Sequence, residues 1–212
     1  MPVFDQIPVD SLGMKRLILT ALLLAPCVFA DDSAFLENTE KVELKEPLLR
    51  VTRPSKEWVF MDLEVLKKQE LKKAGSAKGP VEDTFQRLKA ELQFSSANAS
   101  FFVYAWSDAH KEPPTPETLG GEILEQTRNF FKDKGKVVSS SKAKLGKLDG
   151  WGVEVEGTLT QGGDELSVSK LVVYRPEDKT VFLLSLEVPR KKADLVKKEK
   201  KKLFTSDVVK LQ

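Results

Sequence analysis

The 212 residues contain one histidine and one cysteine, so nucleophilic and metal chemistry have few places to begin. His110 follows Asp108 in the segment SDAHKEPPTP, just after an apolar run that ends at Trp106. An Asp–His pair could bind a ligand or a metal. Two groups do not complete a coordination shell, and acid–base chemistry needs a positioned partner as well. A Ser-His-Asp triad would have to use His110. Trp106, Asp108, His110 and Trp151 form the candidate rim of a ligand site. The plain alternative is a polar loop beside core aromatics. Trp151 sits between Gly150 and Gly152, which let a backbone bend or approach another surface. Glu154 and Glu156 resemble the paired carboxylates of a glycosidase. Nothing beside them in the sequence raises either pKa, so they read as the solvated face of a strand. The sequence has no GxGxxG, P-loop, HExxH or EF-hand loop. We assign no catalytic residue, no cofactor and no metal site from the sequence.

The strongest local signal is basic. Arg190, Lys191, Lys192, Lys197, Lys198, Lys200, Lys201 and Lys202 fall within thirteen residues that hold two acids, Asp194 and Glu199. On a helix this run could dock on an unknown acidic protein partner or on an anionic membrane surface. It could also be a solvated face whose opposite side packs on a sheet. The whole chain carries a net charge of only +2, which gives no argument for nucleic acid.

The N-terminal residues read as an export signal. Met14-Lys15-Arg16 is a basic start, residues 17–25 (LILTALLLA) are apolar, and Val28-Phe29-Ala30 offers small residues for cleavage. The apolar stretch is shorter than the roughly 20 residues that cross a bilayer, so no transmembrane helix is expected. Residues 1–13 place Asp5 and Asp10 ahead of the positive charges and read as a mis-assigned upstream start. The expected organisation is a signal peptide at 14–30, a flexible arm at 31–47 and one domain at 48–212. The localisation is then periplasmic or extracellular. Lipidation at Cys27 is the alternative, although Pro26 departs from the usual processing box. If cleavage follows Ala30, the mature chain has no thiol and no disulfide.

Several elements must position these residues. Residues 48–52 and 58–61 read as a hairpin around Arg53-Pro54-Ser55-Lys56. Residues 63–74 favour a helix that buries little. Residues 81–94 fit both a helix and a strand, and we divide them near Arg87. The run ASFFVYAW, residues 99–106, is apolar on both faces: Phe101, Val103 and Ala105 on one, Phe102, Tyr104 and Trp106 on the other. It belongs in the centre of a covered sheet. Asn98-Ala99-Ser100 is a glycosylation sequon at its entry turn. Thr115, Pro116 and Glu117 begin a helix with Leu119, Ile123, Thr127 and Phe130 in one stripe, flanked by Leu124 and Phe131. Gly135 is its expected left-handed cap. A meander follows over 136–145, 151–159, 165–174 and 180–188. A helix over 192–204 closes the chain, with Ala193, Val196, Leu203 and Phe204 inward. This order argues an α+β fold, a central antiparallel β-sheet with helices packed on both faces.

Three features resemble the PsbP/DcrB-like exported proteins: the Trp58-Val59-Phe60 strand, the helix from Glu117 to Lys134 after ASFFVYAW, and the strand entry Leu148-Asp149-Gly150-Trp151-Gly152. The resemblance implies a PsbP-type α/β/α sandwich and an accessory or binding role rather than catalysis. It transfers no defined site. The Lys-rich stretch at 63–74 departs from the pattern. The expectation is an exported, non-enzymatic accessory or binding protein. The alternative is a carrier of a lipid or another apolar small molecule, held between sheet and helix. A deep apolar cavity would favour the carrier and a flat basic face the binding module. Convergent buried carboxylates would favour an enzyme.

Overall fold

A computed structural model describes residues 35–36, 38–75, 78–108, 112–131, 135–158 and 165–211. The export signal, Cys27 and His110 lie outside them.

The chain opens with β1 (Phe35–Leu36) and β2 (Lys41–Lys45), both within the segment read as a flexible arm. Then come β3 (Leu48–Thr52) and β4 (Trp58–Met61). Asp62 starts α1 (Leu63–Lys73) by accepting hydrogen bonds from the backbone N–H groups of Glu64 (2.9 Å) and Val65 (3.1 Å). No residue of α1 is buried, as its lysine content suggests. The ambiguous stretch does divide at Arg87, into α2 (Lys78–Arg87) and β5 (Leu88–Phe94). A tight turn through Asn98, with φ +50°, leads into β6 (Ala99–Ser107). Thr115 caps α3 (Pro116–Phe130) by accepting from Thr118 N–H. The meander is β7 (Lys136–Leu145), β8 (Leu148–Thr158), β9 (Glu165–Arg175) and β10 (Thr180–Pro189). Helix α4 (Ala193–Leu203) and β11 (Val209–Leu211) close the chain.

Eight strands form one antiparallel sheet in the order β1-β4-β5-β6-β10-β9-β8-β7. A second sheet, β11-β3-β2, is small and separate. The expected hairpin between 48–52 and 58–61 does not form. Strand β3 pairs with β2 and β11, and β4 joins the large sheet.

Both faces of the large sheet are apolar, as β6 requires. On one face Phe101, Val103, Phe182, Leu184 and Leu186 pack with Leu49 and Val51 of the small sheet and with Val196 and Leu203 of α4. On the other face Tyr104, Val153, Val155, Val172 and Leu183 pack with Leu119 and Ile123 of α3. The architecture is therefore α+β with helices on both faces, and the small sheet shares the α4 side.

Two local expectations change. Gly135 has no left-handed φ; α3 ends at Phe131, whose N–H reaches the carbonyls of Arg128 and Asn129. Phe131 is a fully buried core residue rather than a flank, and a Cβ on Gly135 would come within 3.0 Å of its ring. Glu154 and Glu156 do not face open solvent. They lie on the α4 side of the sheet, where Lys200 meets Glu154 at 2.6 Å and Arg190 approaches Glu156 and Glu165 at 3.5 Å.

Candidate functional site

Among the described residues, Trp106 and Asp108 of the candidate rim stand apart from Trp151. Trp106 stands at the end of β6 with the Arg87 guanidinium 5.7 Å from its ring centre. Asp108 follows it, its N–H bonded to the Lys179 carbonyl at 2.7 Å. Trp151 belongs to β8, separated from β6 by β10 and β9, so it stands roughly 14 Å away across the sheet. It lies under α3, where its indole N–H donates to Ser140 Oγ at 2.8 Å. The third tryptophan, Trp58, is fully buried in the core on the α4 face.

A cleft of about 1270 Å³ opens at one end of the sandwich, lined by Trp106 among others. Turns and strand ends build it: the β2–β3 turn, the α2–β5 junction, the end of β6, the β7–β8 turn, the β9–β10 turn and β11. Arg175 is fixed there by Asp178, by the Leu48 carbonyl at 3.0 Å and by the Phe182 ring at 4.9 Å. Sequence reasoning missed this cleft because its residues come from six places, each an ordinary turn or strand end when read alone.

The basic helix is divided by its packing. Val196 and Leu203 are buried against the sheet. Lys200, Lys202 and Arg190 have carboxylate partners, and Lys192 donates to the Ser96 carbonyl at 3.1 Å. Lys191, Lys197, Lys198 and Lys201 are exposed and meet no carboxylate within 4 Å among the described residues. Leu195, one turn from Lys191 and Lys198 on the same face, is 58% exposed.

A third cluster lies in the α3-side core. Glu91, Tyr104 and Lys170 are buried, Glu187 is partly buried, and strand register puts all four on one sheet face. Burial pushes the Glu91 carboxyl up to about 7, opposed by the Gln93 amide that donates to it at 3.0 Å and reinforced by Glu187 and Glu70. Burial also raises Glu187, opposed by Lys170, and lifts the Tyr104 phenol well above its ordinary value. Burial pulls the Lys170 ammonium down to about 8, opposed by Glu187. These are the converging carboxylates that an enzyme would need. Neither the cleft nor the 240 Å³ pocket beside α1 and α2 is lined by any of the four, so neither cavity brings a substrate to them. We read the cluster as an electrostatic load on the fold.

No family model matches the chain, and no curated protein sequence matches it. Among solved structures, the solution structure of cyanobacterial PsbP (CyanoP) from Synechocystis sp. PCC 6803 is similar at TM-score 0.52 and 9% identity. The match covers 89% of this chain and 99% of that one. The Ran-binding protein Mog1p of Saccharomyces cerevisiae matches at TM-score 0.48 and 11% identity, over 82% of this chain and 95% of its own. LpqN of Mycobacterium tuberculosis, involved in cell envelope biogenesis, matches at TM-score 0.38 and 11% identity, over 57% and 69%. The likeness to cyanobacterial PsbP extends over nearly the whole of both chains and matches the sheet and helices described above: this chain has the PsbP-like fold.

Proposed function

We propose that this chain is an exported, non-catalytic accessory protein that docks on an anionic membrane surface through the outer face of α4. One observation carries the reading. Packing leaves Lys191, Lys197, Lys198 and Lys201 exposed, with Lys191 and Lys198 on the same face as the uncovered side chain of Leu195. A basic face with an exposed apolar residue at its edge suits a lipid interface, where cations meet headgroups and the apolar group enters the boundary. Four lysines at about 1 kcal/mol each and about 1 kcal/mol from Leu195 give about 5 kcal/mol, a reversible partition of about 5 × 10³ M⁻¹. Arg190, Lys192 and Lys200 tie the helix to strands and a turn of the large sheet, while Lys202 pairs with Glu199 of the helix itself. The carrier reading has less support. The pocket beside α1 and α2 is only 240 Å³, below the roughly 300–1,000 Å³ of small-molecule sites, and the larger cleft is rimmed by charge.

Sedimentation with vesicles tests the proposal. The purified chain is expected to co-sediment with phosphatidylglycerol vesicles and not with phosphatidylcholine vesicles, and to be released by salt near 0.5 M, where screening shortens to about 4 Å. Changing Lys191, Lys197, Lys198 and Lys201 together to Ser should weaken binding at least about tenfold. Equal binding to both lipids, or an unaffected variant, would retire the reading.

A further inference from the structure

The cleft at the turn end of the sandwich lies apart from the outer face of α4. Among the described residues, six basic and three acidic side chains line it. The cations come from five segments: Lys45 before the β2–β3 turn, Arg87 and Lys89 at the α2–β5 junction, Lys147 in the β7–β8 turn, Arg175 at the end of β9, and Lys210 in β11. Lys45, Lys147 and Lys210 are exposed and have no carboxylate partner within 4 Å among the described residues. Burial lowers the pKa of Arg87, and likewise of Lys89. Partly desolvated cations attract an incoming carboxylate more strongly than fully hydrated ones. Between the cations the wall is apolar, with Ala105, Leu145, Leu148 and Leu211 inside and Leu48 left 48% exposed.

Size and charge placement select the ligand. The volume of about 1270 Å³ exceeds that of ordinary small-molecule pockets, roughly 300–1,000 Å³. Its cations are spread around the rim, whereas one carboxylate or phosphate head reaches only the few donors next to it. An extended peptide rises about 3.3 Å per residue and sends alternate side chains to opposite sides. Alternating acidic and apolar residues therefore carry negative charge at intervals along the strand, with apolar groups between. We propose that the cleft binds an acidic, extended segment of a partner protein, its carboxylates on the Lys45, Lys147 and Lys210 rim and its apolar side chains on the Leu145–Leu148 wall.

Calorimetry with a short synthetic peptide alternating Glu with Leu tests this in the absence of lipid. The peptide should bind saturably, and the same peptide with Gln in place of Glu should bind at least about tenfold more weakly, a loss of roughly 1.4 kcal/mol. The pair Lys147→Glu and Lys210→Glu, both at exposed positions, should fold as the wild type by circular dichroism and weaken the acidic peptide by at least about tenfold. Serine variants of the α4 lysines should bind the peptide as the wild type does, which separates this proposal from membrane docking. Equal affinity for the Glu and Gln peptides would overturn it, as would indifference to the charge reversals. Saturable binding of dodecanoate without binding of the peptide would also overturn it and make the cleft an amphiphile site.

Discussion

Replacing Glu91 by Gln should stabilise the protein by about 3 kcal/mol at pH 8 and leave its stability unchanged at pH 4. The argument rests on where the carboxyl sits. Glu91 is buried beside Tyr104 and near Glu187, and its folded pKa is pushed from 4.5 up to about 7. A raised carboxyl pKa means that the folded state holds the proton more tightly than the unfolded chain. Its contribution to stability is complete below 4.5 and is lost as pH rises through about 7. Above that, the folded protein carries a buried carboxylate that water no longer solvates. Glutamine has the shape of the protonated form and keeps a carbonyl to accept the Gln93 amide, so it removes the penalty without creating a cavity. Lys170 has the opposite dependence. Its lowered pKa contributes stability that is complete above 10.5 and is lost as pH falls through about 8, so it does not mimic the Glu91 effect between pH 4 and 7. Urea unfolding at pH 4 and pH 8 measures the difference. A substitution effect of the same size at both values would show that Glu91 is not the source.

Local pattern in the sequence carried the central sheet. The two-sided apolar run of β6, the caps of α3 and the alternation in β8 and β10 each bury their own side chains, so each is visible within a few residues. Pairing between distant segments was not visible. The turn Arg53-Pro54-Ser55-Lys56 suggests a hairpin, yet β3 finds β11 near the other end of the chain, and no local signal specifies that match. Glu154 and Glu156 looked like a solvent face because alternation marks polarity but not what covers it. The lysines that make the C-terminal run conspicuous are in part their partners. The Glu91, Lys170 and Glu187 cluster did leave a trace. Lys170 in SVSKLVVY and Glu187 in FLLSLEVP are single charges inside segments whose other residues are apolar or serine, and such a charge must find a partner or shift its pKa. The cleft left no comparable mark, since turns from across the chain assemble it.

Changing Gly120 to Ala should destabilise the protein by about 2 kcal/mol, against the gain of up to about 1 kcal/mol that Ala brings inside an exposed helix. Gly120 is buried where α3 crosses β8, and Trp151 fills the space that a side chain would occupy. An added Cβ would lie 2.8 Å from Trp151 Cβ and closer still to Cγ and Cδ1. These atoms lie at the root of the side chain, so a small turn of the indole does not clear them. Either α3 lifts from the sheet or Trp151 leaves its place and its bond to Ser140. The clash is specific to the Trp151 side chain from Cβ outward, and so is its cure. In a Trp151→Gly background the same Gly120→Ala change should become neutral or stabilising, because Cβ, Cγ and Cδ1 are all gone and the helical preference for Ala remains. The coupling between the two sites should therefore be about 2–3 kcal/mol and favourable in the double variant. Guanidinium unfolding of the four proteins in the cycle measures it. Additive effects would mean that α3 does not rest on Trp151. A strong coupling would fix Trp151 as the residue that seats α3 on the sheet rather than one that lines a ligand site.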